Sequence, residues 1–527
     1  MKLAAIDIGS NSIHMIIARI DAEGNIEVVD RMKEMAQLGA ETLTTGYLSE
    51  AAQERGIRTL TQFKALADAH RVDDIIAVAT SATREARNGP EFIDRVREVC
   101  GIPARIIDGV QEGHLIYLGA REVYDFGSQR ALLVDIGGGS VEFILADRRR
   151  AYLIKSLKLG VRRLKDRFLP EEQPSRESID ELVAHVRTKL DSIVPAIRRR
   201  GFDHVVTTSG TALALARLSA TVRGEVAPTP PAVVLREHLQ QVTELLLTLD
   251  PAARALLPGM EPKRLDTLCH GALLLRTLLE MFGAERFTIC DGALREGMLV
   301  DYLDRHRPGL RLHEEVADPR RRSVLALMRR LVDAPGHSQH VAHLALRLFD
   351  QIQSVHRLPL PYRELLEYSA LLHAVGRAIH SSGHHKHALY ILRHADLNGF
   401  SSREVLLMAN VVRYHRRSPP KARHIEFMEL QPNDREVVKK LSALLRLANA
   451  LDRGRQANVH KITCHIHADR IEIVAASHTD PSLEMSALRD HQPYVESIFG
   501  LPIRVRPFRP GRDAPAADSL EPEGQVP

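Results

Sequence analysis

The 527-residue chain has only four cysteines, Cys100, Cys269, Cys290 and Cys464, and no two of them form a CxxC pair. Such scattered thiols exclude a disulfide framework and a cysteine-based zinc site, and they fit reduced side chains in a cytoplasmic protein. No run of about 18 apolar residues is available to cross a membrane. The N-terminal apolar stretch is interrupted by Asp7, too early for a signal peptide. The pattern GxxxxGKS/T is missing and no GxGxxG opens a helix, which speaks against P-loop and dinucleotide-binding chemistry.

What is present is ordinary for a globular protein: 44% hydrophobic and 26% charged residues. The length exceeds what one core can serve and suggests roughly three or four domains. The net charge of +5, with arginine clusters at 148–150, 198–200 and 320–322, fits polyanionic partners or, more commonly, plain solvated surface.

Along residues 1–128, strand-like runs such as "AAIDI" and "DIIAVAT" alternate with helix-like ones such as "GPEFIDRVREVC", the rhythm of an α/β domain. The rhythm restarts with "ALLVDIGGGSVEFILAD" and fills 129–310. From 311 to 456 the apolar residues follow helical spacing, and eleven of the 26 histidines fall between His337 and His415. A small section with strand signals occupies 457–508. The final 509–527, rich in Pro, Ala and acidic residues, reads as a disordered tail.

The restart is an internal duplication. "AAIDIGSNSIHMIIAR" at 4–19 and "LLVDIGGGSVEFILAD" at 132–147 superpose at a fixed offset, placing Asp7 on Asp135, Gly9 on Gly137 and Ser12 on Ser140. Each copy reads as strand, tight turn, strand, with an aspartate ending the first strand. Gly9, Ser10, Asn11 and Ser12 in one turn, and Gly137, Gly138, Gly139 and Ser140 in the other, provide backbone N–H and hydroxyl donors. Such a concave donor set suits phosphate. A neighbouring carboxylate, Asp7 or Asp135, offers Mg²⁺ the hard oxygen it prefers. Asp135 and Glu142 stand seven apart across the second turn, and the first copy has His14 where the second has Glu142.

These turns, together with "TSATREARNG", "DGVQEGHLIYLGA", "SLKLGVRRLKDRFL", "TTSGTALALARL" and "DGALREG", resemble the exopolyphosphatase and guanosine pentaphosphate phosphohydrolase family of the actin-like ATPase superfamily. The resemblance implies two duplicated actin-like, ribonuclease H-like α/β domains facing a cleft. An all-α domain and a small β-containing section would follow. It implies a Mg²⁺- or Mn²⁺-dependent hydrolase that releases orthophosphate from the end of inorganic polyphosphate. The alternative substrate is guanosine pentaphosphate, converted to the tetraphosphate. A small-molecule kinase and a non-catalytic polyphosphate sensor are the readings from other classes. A homodimer is expected, with no nucleic-acid partner and no integral membrane association.

By the same resemblance Glu112 is the catalytic base. Its place in the first turn of a helix starting near Asp108–Gly109 favours the ionised carboxylate. The residue before it, often acidic in relatives, is Gln111 here. Asp135, Glu142 and Asp7 form the expected metal-binding set. Arg84, with Arg87 one turn on, is expected to fork onto phosphate oxygens. Arg295 either closes the site or pairs structurally with Glu296 or Asp291, the latter preferred, and "TTSGTA" at 207–212 either holds a phosphate chain or supports the cleft.

The histidine-rich half resembles the HD phosphohydrolase helical domain, with His337 and His373 at two ligand positions. The aspartate of the pair is replaced by Ala374 and the late aspartate by Asn449, with Asp452 three residues beyond. Two oxygen ligands are therefore lacking, and the domain reads as a degenerate relative.

Overall fold

A computed structural model describes residues 1–22, 24–168, 174–225, 228–306 and 318–508. The expected boundary at 310/311 and the expected disordered tail lie outside the described residues. The chain divides into two compact units, one of Met1–Arg320 with Asn398–Ser402, the other of Arg321–Leu397 with Arg403 onward.

In the first unit, β1 (Lys2–Ile8), β2 (Ile13–Ile20), β3 (Ile26–Glu34), β4 (Asp74–Ala79) and β5 (Ala104–Ile106) form one sheet in the order β3-β2-β1-β4-β5. A second sheet contains β6 (Ala131–Ile136), β7 (Val141–Ala146), β8 (Ala151–Leu157), β9 (His204–Thr207), β10 (Ala232–Leu235) and β11 (Arg286–Ile289). Its order, β8-β7-β6-β9-β11-β10, repeats the first sheet and adds one edge strand. In both, an antiparallel meander of three strands is followed by parallel additions. The duplication seen in the sequence is thus a duplication of topology.

Each central strand is apolar on both faces because each face is covered. Leu3 and Ala5 of β1, with Ala131 and Leu133 of β6, pack into a shared core with helices Gly109–Val123 and Leu294–His306. Ala4 and Ile6 of β1 face the opposite way, toward Phe63 and Phe92. Leu132 and Val134 of β6 face helices that include 210–222 and 268–282. Two helices are therefore layered between two sheets. They approach to backbone contact: a Cβ on Gly297 would lie 1.7 Å from Leu115 O, and one on Gly119 would lie 2.0 Å from Ala293 O. The glycines of "DGALREG" and "LIYLGA" serve this crossing.

Strand alternation then settles the placement of the acidic residues. Asp7 continues the Leu3–Ala5 face and Asp135 the Ala131–Leu133 face. Asp7 pairs in register with His14, and Asp135 with Glu142. Directly opposite residues share a face. All four side chains consequently lie on the inner faces, toward the start of the helix that bears Glu112.

The second unit is mainly helical, with helices 335–351, 361–372, 384–394, 402–413 and 432–451 followed by strands β12 (Val459–Ile466), β13 (Ile471–Ser477) and β14 (Ile503–Pro507). Gln351 ties the sheet to the first of these helices, donating to Ile462 O at 3.1 Å and accepting from Cys464 N at 2.7 Å. His337 is buried against Asp452, with Nδ1 2.7 Å from the carboxylate. The rings of His373 and His415 are 5.2 Å apart, and each Nδ1 lies against a backbone carbonyl, of Ala370 and Val412 respectively. Among the described residues no three His, Cys, Asp or Glu side chains form a group able to hold a metal ion. No described helix is long and apolar enough to cross a membrane.

Candidate active site

The helix carrying Glu112 starts where the sequence places it. Asp108 is its N-cap, accepting from Val110 N at 2.9 Å and Gln111 N at 2.8 Å, while Gln111 Oε1 accepts from Asp108 N at 3.2 Å. This reciprocal capping box gives Gln111 a local structural role at the helix start. The next residue turns inward, and Glu112 is 7% exposed.

Glu112 Oε2 accepts from Arg84 Nη1 at 2.9 Å, and the same nitrogen donates to Ile107 O at 2.9 Å. Arg84, expected to grip phosphate, here faces the expected base. Arg87 points elsewhere, stacking over the Tyr47 ring at 5.6 Å. Burial pushes the Glu112 carboxyl up to about 7; Arg84 opposes this, while Asp7 and Asp135 add to it.

Of the other three carboxyls, Glu142 is buried and Asp7 and Asp135 are half-buried. Glu142 is 0% exposed, where a surface strand position was the alternative. Ser156 donates to Glu142 Oε1 at 2.7 Å, and Oε2 has no hydrogen-bond partner. Burial, then Glu112 and Asp135, hold its carboxyl well above the usual range. Thr208 donates to Asp135 Oδ1 at 2.8 Å, which gives the 207–212 segment a supporting role at the acid. Ser209 of the same segment caps the following helix through Ala212 N. Asp7 Oδ1 has no partner, and burial pushes this carboxyl to about 6, with Asp135 adding to the rise and Arg295 opposing it.

Orphaned buried oxygens on Asp7 and Glu142, in a group of four carboxyls whose pKa values burial raises, fit a hard divalent cation. Magnesium commonly takes one or two carboxylates and completes its shell with water and substrate phosphate oxygens. The described residues contain no group of three ligands. Asp7, Asp135 and Glu142 therefore do not act together as a ready-made three-carboxylate cage, and a site of that sparser kind is what they could form.

The two turns meet across the pocket. In the second, the carbonyls of Gly137, Gly138 and Gly139 accept from the N–H groups of Val161, Arg162 and Gly160 at 3.0, 2.9 and 3.2 Å. In a planar trans peptide the N–H points opposite to the C=O. The N–H groups of Gly138, Gly139 and Ser140 are accordingly turned away from that helix start. A Cβ on Gly160 would sit 2.3 Å from the Gly138 carbonyl, so only glycine permits the stacking. A Cβ on Gly138 would lie 3.5 Å from both Ser10 and Asn11, which measures how closely the turns approach. Gly9 and Gly137 differ from expectation. Their N–H groups close the turns onto Ser12 O and Ser140 O, at 3.2 and 3.0 Å, and do not face the cleft. Ser10 Oγ accepts from Ala82 N at 3.1 Å, tying the first turn to the helix that carries Arg84.

Arg295, for which local pairing was preferred over closing the site, has its Nη1 2.9 Å from His14 Nδ1. Other contributors were not visible in the sequence. Lys33 of β3 is pushed down to about 8 by burial and by Arg264, Lys263 and Arg295, so a cluster of cations stands on this side. Glu85 accepts from Arg163 at 2.7 Å and from Lys158 at 2.8 Å, fastening the first half to the second beside the turns. Lys33 lies on a strand of mixed polarity with no local pattern to single it out, and the remaining pairs join residues tens to hundreds apart.

The model of the Ppx/GppA phosphatase family matches residues 16–306, and that of its domain III matches residues 320–492. The chain belongs to the Ppx/GppA phosphatase family. Similar solved structures include an exopolyphosphatase from Cytophaga hutchinsonii, 26% identical, with a TM-score of 0.54; the match covers 58% of this chain and 98% of that one. The Aquifex aeolicus member of the Ppx/GppA family is 26% identical with a TM-score of 0.50, covering 58% of this chain and 99% of its own. An exopolyphosphatase-like protein is 27% identical with a TM-score of 0.52, covering 57% and 97%. The motifs quoted above lie within residues 16–306, save the first hairpin, whose turn precedes the match and whose second strand contains its start.

Proposed function

We propose that this chain hydrolyses the terminal phosphoanhydride of inorganic polyphosphate, releasing orthophosphate, with Glu112 as general base. One observation carries the reading: a buried carboxyl, Glu112, stands with buried Glu142 and half-buried Asp7 and Asp135 beside two donor-rich turns. In this scheme the N–H groups of Gly138, Gly139 and Ser140, with Ser10, Asn11 and Ser12 opposite, bind the terminal phosphoryl oxygens. Glu112 Oε takes a proton from the attacking water as its oxygen approaches phosphorus, and the departing chain leaves as a phosphate anion. Phosphoryl transfer asks the protein chiefly for positioning and charge. Mg²⁺, held by carboxylates among Asp135, Glu142 and Asp7, would neutralise charge on the phosphoryl oxygens when bound. Arg84 tempers the base and lies close enough for an arriving phosphate to compete for its guanidinium. Lys33, Lys263 and Arg264 extend positive charge along one wall for the rest of an anionic chain.

The test is phosphate release, with Mg²⁺, from long-chain polyphosphate and from guanosine pentaphosphate in parallel. Glu112→Gln is expected to lower kcat by about 10²-fold or more, since general-base contributions are typically of that order. Release confined to guanosine pentaphosphate would move the substrate to the nucleotide. No release from either, with ADP formed from ATP and a small acceptor, would replace the hydrolase reading with a kinase one.

A further inference from the structure

His14 stands between two partners whose hydrogen-bonding character is unequal. Its Nδ1 lies 2.9 Å from Arg295 Nη1, and its Nε2 lies 2.7 Å from Ser12 Oγ. A guanidinium has donors and no acceptor, so Nδ1 must offer its lone pair. An imidazole without a proton on Nδ1 carries one on Nε2, and that proton can go only to the Ser12 oxygen. With its oxygen already accepting, Ser12 has its own proton directed away from His14. Ser12 is half-buried at the turn, and the nearby Asp7 Oδ1 has no partner, so the proton is not spent there.

We propose that His14, fixed by Arg295, is a positioning residue that orients the Ser12 hydroxyl as a hydrogen-bond donor to a phosphoryl oxygen of the substrate. The proposal rests on the phosphohydrolase reading of this site. The second hairpin has no such device. Glu142 occupies the position of His14 there, and an ionised carboxylate only accepts. Glu142 accepts from the Ser156 hydroxyl at 2.7 Å, and among the described residues no imidazole stands behind the turn serine of this hairpin. The duplicated turns thus differ: Ser12 has a histidine partner fixed by an arginine, and the second hairpin has a carboxyl at that place.

The test is a double-mutant cycle read as KM against kcat for polyphosphate. A hydrogen bond to a charged group is worth enough that Ser12→Ala and His14→Leu should each raise KM by about 10-fold. An interaction made equally in ground and transition states leaves kcat within about 2-fold. Because His14 acts through Ser12, the double variant should be no worse than Ser12→Ala alone. His14→Gln, whose amide keeps a donor toward residue 12, should lose much less than His14→Leu. Additive losses, or His14→Gln as damaging as His14→Leu, overturn the proposal.

A direct readout covers the case in which a variant folds poorly. In wild-type protein labelled with ¹⁵N-histidine, the ring signal that disappears in His14→Gln should be protonated at Nε2 and bare at Nδ1. The other tautomer, or an imidazolium, overturns the proposal. Glu112→Gln run in the same assay separates the two readings. Loss of release there, with an additive cycle, sinks the relay and keeps the hydrolase. A coupled cycle with undiminished release in Glu112→Gln keeps the relay and displaces the base.

Discussion

Arg84 Nη1 lies 2.9 Å from Glu112 Oε2, and the guanidinium is anchored by Ile107 O at the same distance. A fixed positive charge next to a buried carboxyl favours the ionised form, typically by about one to three pKa units for a close arginine. Without Arg84, Glu112 would ionise well above the value of about 7 that it has in the pair. Arg84→Gln should therefore shift the acid limb of the kcat–pH profile to higher pH by about one unit or more. An unmoved limb would show that Glu112 does not govern it.

Stability should respond to pH in the opposite sense from that of most acidic proteins. Asp7 and Glu112 are raised by burial to about 6 and about 7, above their unfolded values. The folded state therefore prefers the protonated acids. Their contribution is complete below the unfolded pKa and is lost as pH rises through 6 to 7, at about 1.4 kcal/mol for each pH unit that separates a folded from an unfolded pKa. A divalent cation that binds the ionised pocket compensates for this loss. Melting of metal-free protein should accordingly fall between pH 5.5 and 8, and added Mg²⁺ should raise the Tm more at pH 8 than at pH 5.5. Equal Mg²⁺ effects at both pH values would sink this account.

Thr208 offers a test of the support behind Asp135. Thr208→Val preserves shape and removes the 2.8 Å donor to Oδ1. Loss of an orienting hydrogen bond behind a metal-binding carboxylate typically costs about 10-fold or more in metal affinity. The Mg²⁺ concentration for half-maximal activity should rise by that factor at little cost in Tm, and an unchanged requirement would remove Asp135 from the metal set.

Much of this site was legible because its chemistry follows chain-local rules. The period of two along β1 and β6, read together with the duplication, is enough to set Asp7 opposite His14 and Asp135 opposite Glu142. The Asp108 turn before a helical pattern is enough to put Glu112 in a first turn. What escaped depends on tertiary distance. Arg295 reaches His14 across 281 positions, and Thr208 reaches Asp135 across 73. The full burial of Glu142 follows from the layer of helices between the two sheets, which no local pattern reveals. Gly9 and Gly137 looked like phosphate donors on composition, but a tight turn consumes their N–H groups before a ligand can use them.

The stacking of a helix start on the second turn predicts intolerance at Gly160. A Cβ there would meet the backbone of Gly138 and Gly139 at 2.3 Å, where no side-chain adjustment can relieve it. Gly160→Ala should cost about 1–3 kcal/mol in stability, as overpacking of a tight interior does. It should also raise KM for polyphosphate, because the displaced backbone carries the N–H donors. Gly201→Ala is the control: its Cβ would meet nothing within 4 Å, and although its positive φ (71°) costs some stability, KM should not move.

The exchange of Glu142 for His14 between the two hairpins has one more consequence. A linear polyphosphate reads the same from either terminus, so the polymer itself cannot tell a cleft of two near-identical arms which arm should face its last anhydride. The duplicated fold would accept the chain either way round. Each arm supplies an aspartate, but its partner across the hairpin is a carboxyl in one and a neutral imidazole beside Arg295 in the other, and that difference gives the cleft a heading. If polyphosphate is the substrate proposed above, its long remainder would trail toward the cations around Lys33 and Arg295.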